Sequence, residues 1–93
     1  LNKQLRASNN NLKTIDLSNN NELISLTIDG NNLAGTIDVS NCTNLIIFNV
    51  VGNPNLTCVK VNENQLNALN GTDVPTGFEW GIHPDVTISI DCN

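Results

Sequence analysis

Apolar residues return along this chain on a short, fixed cycle. The template L-x-x-L-x-L-x-x-N fits Leu12, Ile15, Leu17 and Asn20, then Leu23, Leu26, Ile28 and Asn31. It fits again at Leu45, Phe48, Val50 and Asn53, and at Leu56, Val59, Val61 and Asn64. One unit is irregular: an extra residue follows Leu33 before Ile37 and Val39, and Cys42 takes the closing place. A partial first unit holds Leu5, Ala7 and Asn10, so the closing positions are 10, 20, 31, 42, 53 and 64. A longer cycle contains the short one. Thr14-Ile15-Asp16-Leu17-Ser18-Asn19 returns 22 residues later as Thr36-Ile37-Asp38-Val39-Ser40-Asn41. Within a unit Ile15 and Leu17 flank an opposed Asp16, the two-residue period of a strand. A step of about 11 residues leaves no room for a strand and a helix, so each long cycle is expected to hold two short strands and two corners.

Composition sharpens this picture at one point: 19 of the 93 residues are Asn. A closing Asn falls where the chain turns inward and leaves backbone groups unpaired, and its amide supplies donors and an acceptor on one short side chain. Asn10, Asn31 and Asn53 are expected to stack as one ladder, and Asn20, Cys42 and Asn64 as a second with a small thiol replacing one amide. Neighbouring Asn9, Asn11, Asn19, Asn21 and Asn32 suit turn positions, where Asn tolerates left-handed backbone. Aromatic residues are 3% of the chain and Met is absent, so the core must be aliphatic.

These residues resemble the leucine-rich-repeat signature, whose closing slot accepts Asn or Cys. The likeness covers roughly residues 2–69 and is to the irregular bacterial class, in which a coil of about 21 residues carries the short motif twice. It implies a mostly β, right-handed solenoid of about three coils, with two short strands per coil. The expected division is a repeat region over 1–69, lacking its first coils, and a C-terminal capping segment over 70–93. In that segment Gly71 stands where an inward aliphatic residue is due, a turn-rich stretch runs from Thr72 to Gly77, and Phe78 and Trp80 follow. Val86, Ile88, Ile90 and Cys92 then alternate with polar residues as one more strand. The stretch from Cys58 to Cys92, with Trp80 between, looks like the capping end of secreted bacterial repeat proteins.

That resemblance gives the three cysteines their reading. Cys42 fills an inward slot as a small hydrophobe. Cys58 falls at an outward template position and Cys92 on the final strand, so a Cys58–Cys92 disulfide is expected to fasten the cap, with three reduced thiols as the alternative. A disulfide implies an oxidising compartment. The chain opens on Leu1 without Met or signal peptide and is expected to be a processed piece of a longer protein, with an N-terminal edge that pairs weakly with another copy or frays before Leu5.

Charge and motifs narrow the function. A net charge of −5 argues against nucleic acid and against anionic membranes. No apolar run approaches the length of a membrane span. His83 has no metal-ligand spacing to any Cys, and Asp29-Gly30-Asn31-Asn32 lacks the carboxylates of a calcium loop. Asp16 and Asp38 are expected on adjacent coils at about 5 Å strand spacing, but on shallow solvated positions without a pocket. The sequons at Asn41, Asn55 and Asn70 matter only in a eukaryotic secretory pathway. No catalytic residue, metal or cofactor is therefore expected.

Outward rows remain. One presents Thr14, Asp16, Ser18, Thr36, Asp38, Ser40, Cys58, Lys60 and Asn62, of which Asp16, Ser18, Asp38, Ser40, Lys60 and Asn62 form the candidate binding face. The other presents Gln4, Arg6, Ser8, Ser25, Thr27, Asp29, Ile47, Asn49 and Val51, where Ile47 and Val51 are expected to be covered by the cap. The expected function is a non-enzymatic, protein-binding module of a bacterial cell-surface or secreted protein. The alternatives are a polysaccharide-binding accessory module of a larger secreted enzyme, or a structural spacer.

Overall fold

Short alternating segments separated by Asn- and Gly-containing corners decide how this chain folds. A computed structural model describes residues 3–92. The elements in chain order are β1 (Gln4–Arg6), β2 (Ser25–Thr27), β3 (Ala34–Asp38), β4 (Ile47–Asn49), β5 (Asn55–Lys60), α1 (Glu63–Leu69), β6 (Glu79–Gly81) and β7 (Thr87–Ser89). They form two wholly parallel sheets, one ordered β1-β2-β4-β6 and the other β3-β5-β7. Gln4 lies beside Ser25, Ser25 beside Ile47, and Ile47 beside Glu79. Between the sheets a single aliphatic core contains Leu17, Leu23, Leu26, Ile28, Leu33, Ile37, Val39, Cys42, Leu45, Val50, Leu56, Val59 and Val61 around Phe48. Trp80 meets Phe48 edge-on at 5.0 Å and stacks on Phe78 at 5.4 Å. Its indole N–H is enclosed and meets no acceptor among the described residues.

The expected mostly β solenoid of about three coils, with two strands per coil and a β cap, is corrected. The chain is a small, compact α/β structure of two parallel sheets and one helix, and strands take up only 29% of it. Two local causes are visible. Around Asp16, where a strand was expected, the carboxylate accepts the Ser18 N–H at 3.0 Å, and residues 14–18 form a turn-bearing segment in place of a strand. At the last closing position the chain winds into α1. The segment Glu63-Asn64-Gln65-Leu66-Asn67-Ala68-Leu69 contains no Gly or Pro, and Asn62 closes a capping box with Gln65. Asn62 Oδ1 accepts the Gln65 N–H at 2.7 Å, and Gln65 Oε1 accepts the Asn62 N–H at 2.9 Å. C-terminal residues do not form a separate layer, because β6 extends one sheet and β7 the other. Leu1, Asn2 and Asn93 lie outside the described residues, as does the part of the N-terminal-edge expectation that rests on Leu1.

Corners after the four-stranded sheet share one device. Asn9, Gly30 and Gly52 adopt left-handed backbone with φ of 58°, 68° and 75°. These corners stack so closely that a Cβ on Gly30 would meet Asn9 Oδ1 at 2.3 Å, and one on Gly52 would meet the Gly30 nitrogen at 3.1 Å. Both conformation and space therefore favour glycine at the inner two corners.

Candidate functional site

The expected ladders resolve into two unlike columns. Asn31 and Asn53 are buried and make parallel sets of bonds. Asn31 Nδ2 donates to the Ala7 and Ile28 carbonyls at 2.9 Å each, and its Oδ1 accepts the Leu12 N–H at 3.1 Å. Asn53 Nδ2 donates to the Val50 carbonyl at 2.8 Å and the Ile28 carbonyl at 3.2 Å, and its Oδ1 accepts the Leu33 N–H at 3.1 Å. Asn10 is exposed and bonds back to Ala7 and Ser8. In the second column Asn20 is half-buried, Cys42 is fully buried and Asn64 is exposed. The place given to Asn64 is taken by its neighbour Gln65, which is buried and donates to the Val39 and Cys42 carbonyls at 3.0 Å each. A longer amide one residue later does the bridging because α1 has already begun. The buried amides of these columns bind backbone groups of neighbouring segments.

The candidate face of Asp16, Ser18, Asp38, Ser40, Lys60 and Asn62 is largely occupied by its own chain. Asp38 Oδ1 accepts the Ser40 N–H at 2.9 Å and the Ser40 hydroxyl at 2.6 Å, repeating the Asp16–Ser18 turn. Asn62 caps α1 and donates to the Ser40 carbonyl at 3.0 Å. Lys60, half-buried, is the one member without such a bond among the described residues. The backbone N–H of Ser18, and after it the Ser18 hydroxyl, hold the Asp16 carboxyl below its ordinary value of 3.8. A group with a lowered folded value contributes its stabilisation above the unfolded value and loses it as pH falls through the lowered one. An NMR titration is therefore expected to place the Asp16 midpoint below 3.8, and a Ser18→Pro chain, lacking that N–H, should return it toward the ordinary value. A midpoint unchanged by that substitution would remove the turn as the cause.

The row on the four-stranded sheet is different. Ile47 and Val51 are 39% and 37% exposed, so no C-terminal segment covers them. Between them and β6 lies an open groove of about 460 Å³ bordered by Thr27, Ile47, Asn49, Val51, Glu79 and Gly81. Gly81 shapes it: a Cβ there would meet Asn49 Oδ1 at 3.3 Å and Val51 Cγ1 at 3.7 Å, filling the notch between two strands. The first strands of the same face are polar, with the Ser8 hydroxyl donating to Asp29 Oδ1 at 2.5 Å. The face thus runs from polar at β1 and β2 to apolar at β4. Gly81 was not singled out by the sequence pattern, although its place on an alternating strand beside Trp80 carried the signal.

Elsewhere the groups are sparse. His83 Nδ1 lies 3.6 Å from Asp85 Oδ2, and both side chains are exposed on the rim of an apolar hollow of about 450 Å³ over Pro54, Leu56 and Val86. Among the described residues no three His, Cys, Asp or Glu side chains cluster as a metal site, and no helix is long and apolar enough to cross a membrane. Cys58 is bonded to Cys92 as expected, and Cys42 is free and buried. Phe48 is buried, while Phe78 and Trp80 stack half-buried on each other, so aromatic rings do not form an open platform for a sugar. Comparison with protein-family models, with curated proteins and with solved structures finds no match.

Proposed function

We propose that the protein is a non-catalytic interaction module that holds a protein ligand on the outer face of the four-stranded sheet. One observation carries this reading: Ile47 and Val51 stand exposed beside the notch at Gly81, on a face whose other positions are polar. Two apolar anchors around a groove with a polar border are the usual ingredients of a small protein contact. The setting we infer is extracellular or at a cell surface, supported by the Cys58–Cys92 disulfide, since such bonds persist in oxidising compartments. Kinship with leucine-rich-repeat proteins belongs to the same proposal. Its support is the recurring template and the spacing of strand partners such as Gln4 with Ser25 and Ser25 with Ile47.

Selection from a displayed library of random peptides tests the reading. Enriched peptides are expected to lose binding about tenfold or more when Ile47 or Val51 becomes lysine, because a charge replaces a desolvated anchor. Lys60→Ala, on the other face, should leave affinity unchanged. Peptides indifferent to Ile47→Lys and Val51→Lys would remove this face from consideration, and a library without any enrichment would remove the ligand.

A further inference from the structure

Each corner of the four-stranded sheet is joined to the next through one backbone donor. The Asn9 N–H donates to the Asp29 carbonyl at 3.0 Å, and the Gly30 N–H to the Val51 carbonyl at 3.0 Å. Asn9, Gly30 and Gly52 hold equivalent places, because Arg6 pairs with Thr27, Thr27 with Asn49 and Asn49 with Gly81. Carried two residues on, that register sets His83 beside Val51, so the His83 carbonyl is the acceptor due for Gly52. It is turned elsewhere, to the Val86 N–H at 3.0 Å, and among the described residues the Gly52 N–H meets no acceptor.

Departure of the chain after β6 opens the space in front of that donor. Counted on in register, Asp85 takes the place of the bridging Asn53, so no amide continues the column. Pro54 matches this change. It stands where Leu33 stands in the corner before, and it has no N–H to offer the missing amide. What remains is an open hollow of about 450 Å³ with Gly52 at its edge, Pro54, Leu56 and Val86 as its walls, and His83 and Asp85 on its rim. That volume falls within the roughly 300–1,000 Å³ of ordinary ligand pockets. Asp85 is the one carboxylate on the border, and no Lys or Arg stands there.

We propose that this hollow binds a short segment of another polypeptide, with one backbone carbonyl accepting the Gly52 N–H and one aliphatic side chain lying on Pro54, Leu56 and Val86. The fold itself shows the fit. Twice in the stack a corner N–H is closed by a peptide carbonyl, and the third corner repeats the left-handed turn up to the missing acceptor. A peptide carries such a carbonyl with an apolar group a few bonds away, which a sugar or a free ion does not. The exposed Asp85 carboxylate favours a basic residue beside the aliphatic one and disfavours an acidic one. The hollow shares no bordering residue with the groove at Ile47 and Val51, and the two readings stand or fall separately.

Amide NMR of the full chain, titrated with the capped dipeptide N-acetyl-leucyl-lysine amide, tests it. In the free protein the Gly52 amide is expected to exchange quickly with solvent while the bonded Gly30 amide is protected. The dipeptide is expected to bind with a Kd of about 1 mM, to move the Gly52 proton downfield, and to slow its exchange about tenfold near saturation. A seryl-lysine counterpart, lacking the aliphatic group, should not bind. Glutamate in place of the lysine should weaken binding about threefold, and Asp85→Lys, at an exposed position, should reverse that order. Ile47→Lys, in the other groove, should leave this titration unchanged. A Gly52 amide already protected in the free protein, a Gly52 signal that does not move at about 10 mM dipeptide, or an Asp85→Lys chain that keeps the original preference would each overturn the proposal.

Discussion

Replacing Asn53 with alanine is expected to destabilise the fold by about 3 kcal/mol, read as a lower urea midpoint at unchanged slope. The side chain is 6% exposed and holds backbone groups from three successive segments of the chain. It joins the Ile28 carbonyl, which the Asn31 amide also reaches, and the Val50 carbonyl and the Leu33 N–H, which have no second side-chain partner among the described residues. Each net bond is worth about 1 kcal/mol, and each buried group left alone costs about 1–3 kcal/mol. Loss of the partner of two buried backbone groups at once therefore exceeds the ordinary effect of a surface substitution several-fold. Asn53→Asp should be no gentler, since it keeps the acceptor, removes both donors and buries a charge. Asn10→Ala supplies the comparison, because Asn10 is exposed and bonds only within its own corner; its loss should stay below about 0.5 kcal/mol. Equal losses at the two positions would show that the amides of this column do not bridge segments.

The contrast between Asn53 and Asn64 shows what the sequence made legible. Every template position from Leu17 to Val61 except the half-buried Asn20 is a buried side chain, because period-two alternation and an 11-residue step are properties of the pattern alone. Function of the last closing residue was not legible. Asn64 and Gln65 both carry amides, and the choice between them depends on whether the chain turns a corner or begins a helix. Asn62, Glu63 and Gln65 favour the helix through a capping box, a signal that the repeat template conceals. That residues 14–18 form no strand is concealed by the template in the same way. Thr14 to Asn19 and Thr36 to Asn41 are nearly the same string, yet only Thr36 to Asp38 of the second lies in a strand. The difference lies in neighbours. β3 pairs with β5 and hydrogen-bonds along five residues, whereas nothing in the string itself supplies a partner.

The candidate face holds internal bonds that alternation alone does not reveal. Alternation tells that Asp16, Asp38 and Ser40 point outward, but an outward polar group is not yet an available one. A carboxylate two residues before a serine closes on that serine's backbone, as Asp16 and Asp38 both do. Ile47 and Val51 are exposed apolar side chains without such an internal bond, the observation on which our proposal of the β4 face rests. The expected cover by the cap is absent, and both stay exposed. In space β6 arrives beside β4 with Gly81 opposite Asn49, and a residue without a side chain covers nothing.

Breaking the Cys58–Cys92 bond is expected to cost about 4 kcal/mol, the chain-entropy value for its separation of 34 residues. The location of the bond sets what is lost first. β7 pairs only with β5, through Thr87, Ile88 and Ser89, and the disulfide ties the residues just beyond it back to Cys58 on that same strand. A Cys58→Ser, Cys92→Ser chain should release β7 in local opening before the rest unfolds, seen as faster amide exchange at residues 87–89 than in the buried rows of β2 and β4. Cys42 provides an internal reporter. It is fully buried, and desolvation, followed by the charge of Asp38, raises its thiol above the ordinary value. Thiolate is the reactive form, so the thiol is protected twice, by access and by protonation. After mild reduction of the folded protein, iodoacetamide is expected to label Cys58 and Cys92 and to spare Cys42, which should react only in urea. A reduced chain with an unchanged urea midpoint would show that the bond adds nothing to the fold. Labelling of Cys42 as fast as the other two would mean that opening at β7 spreads through the core and that the two sheets do not hold without the clasp.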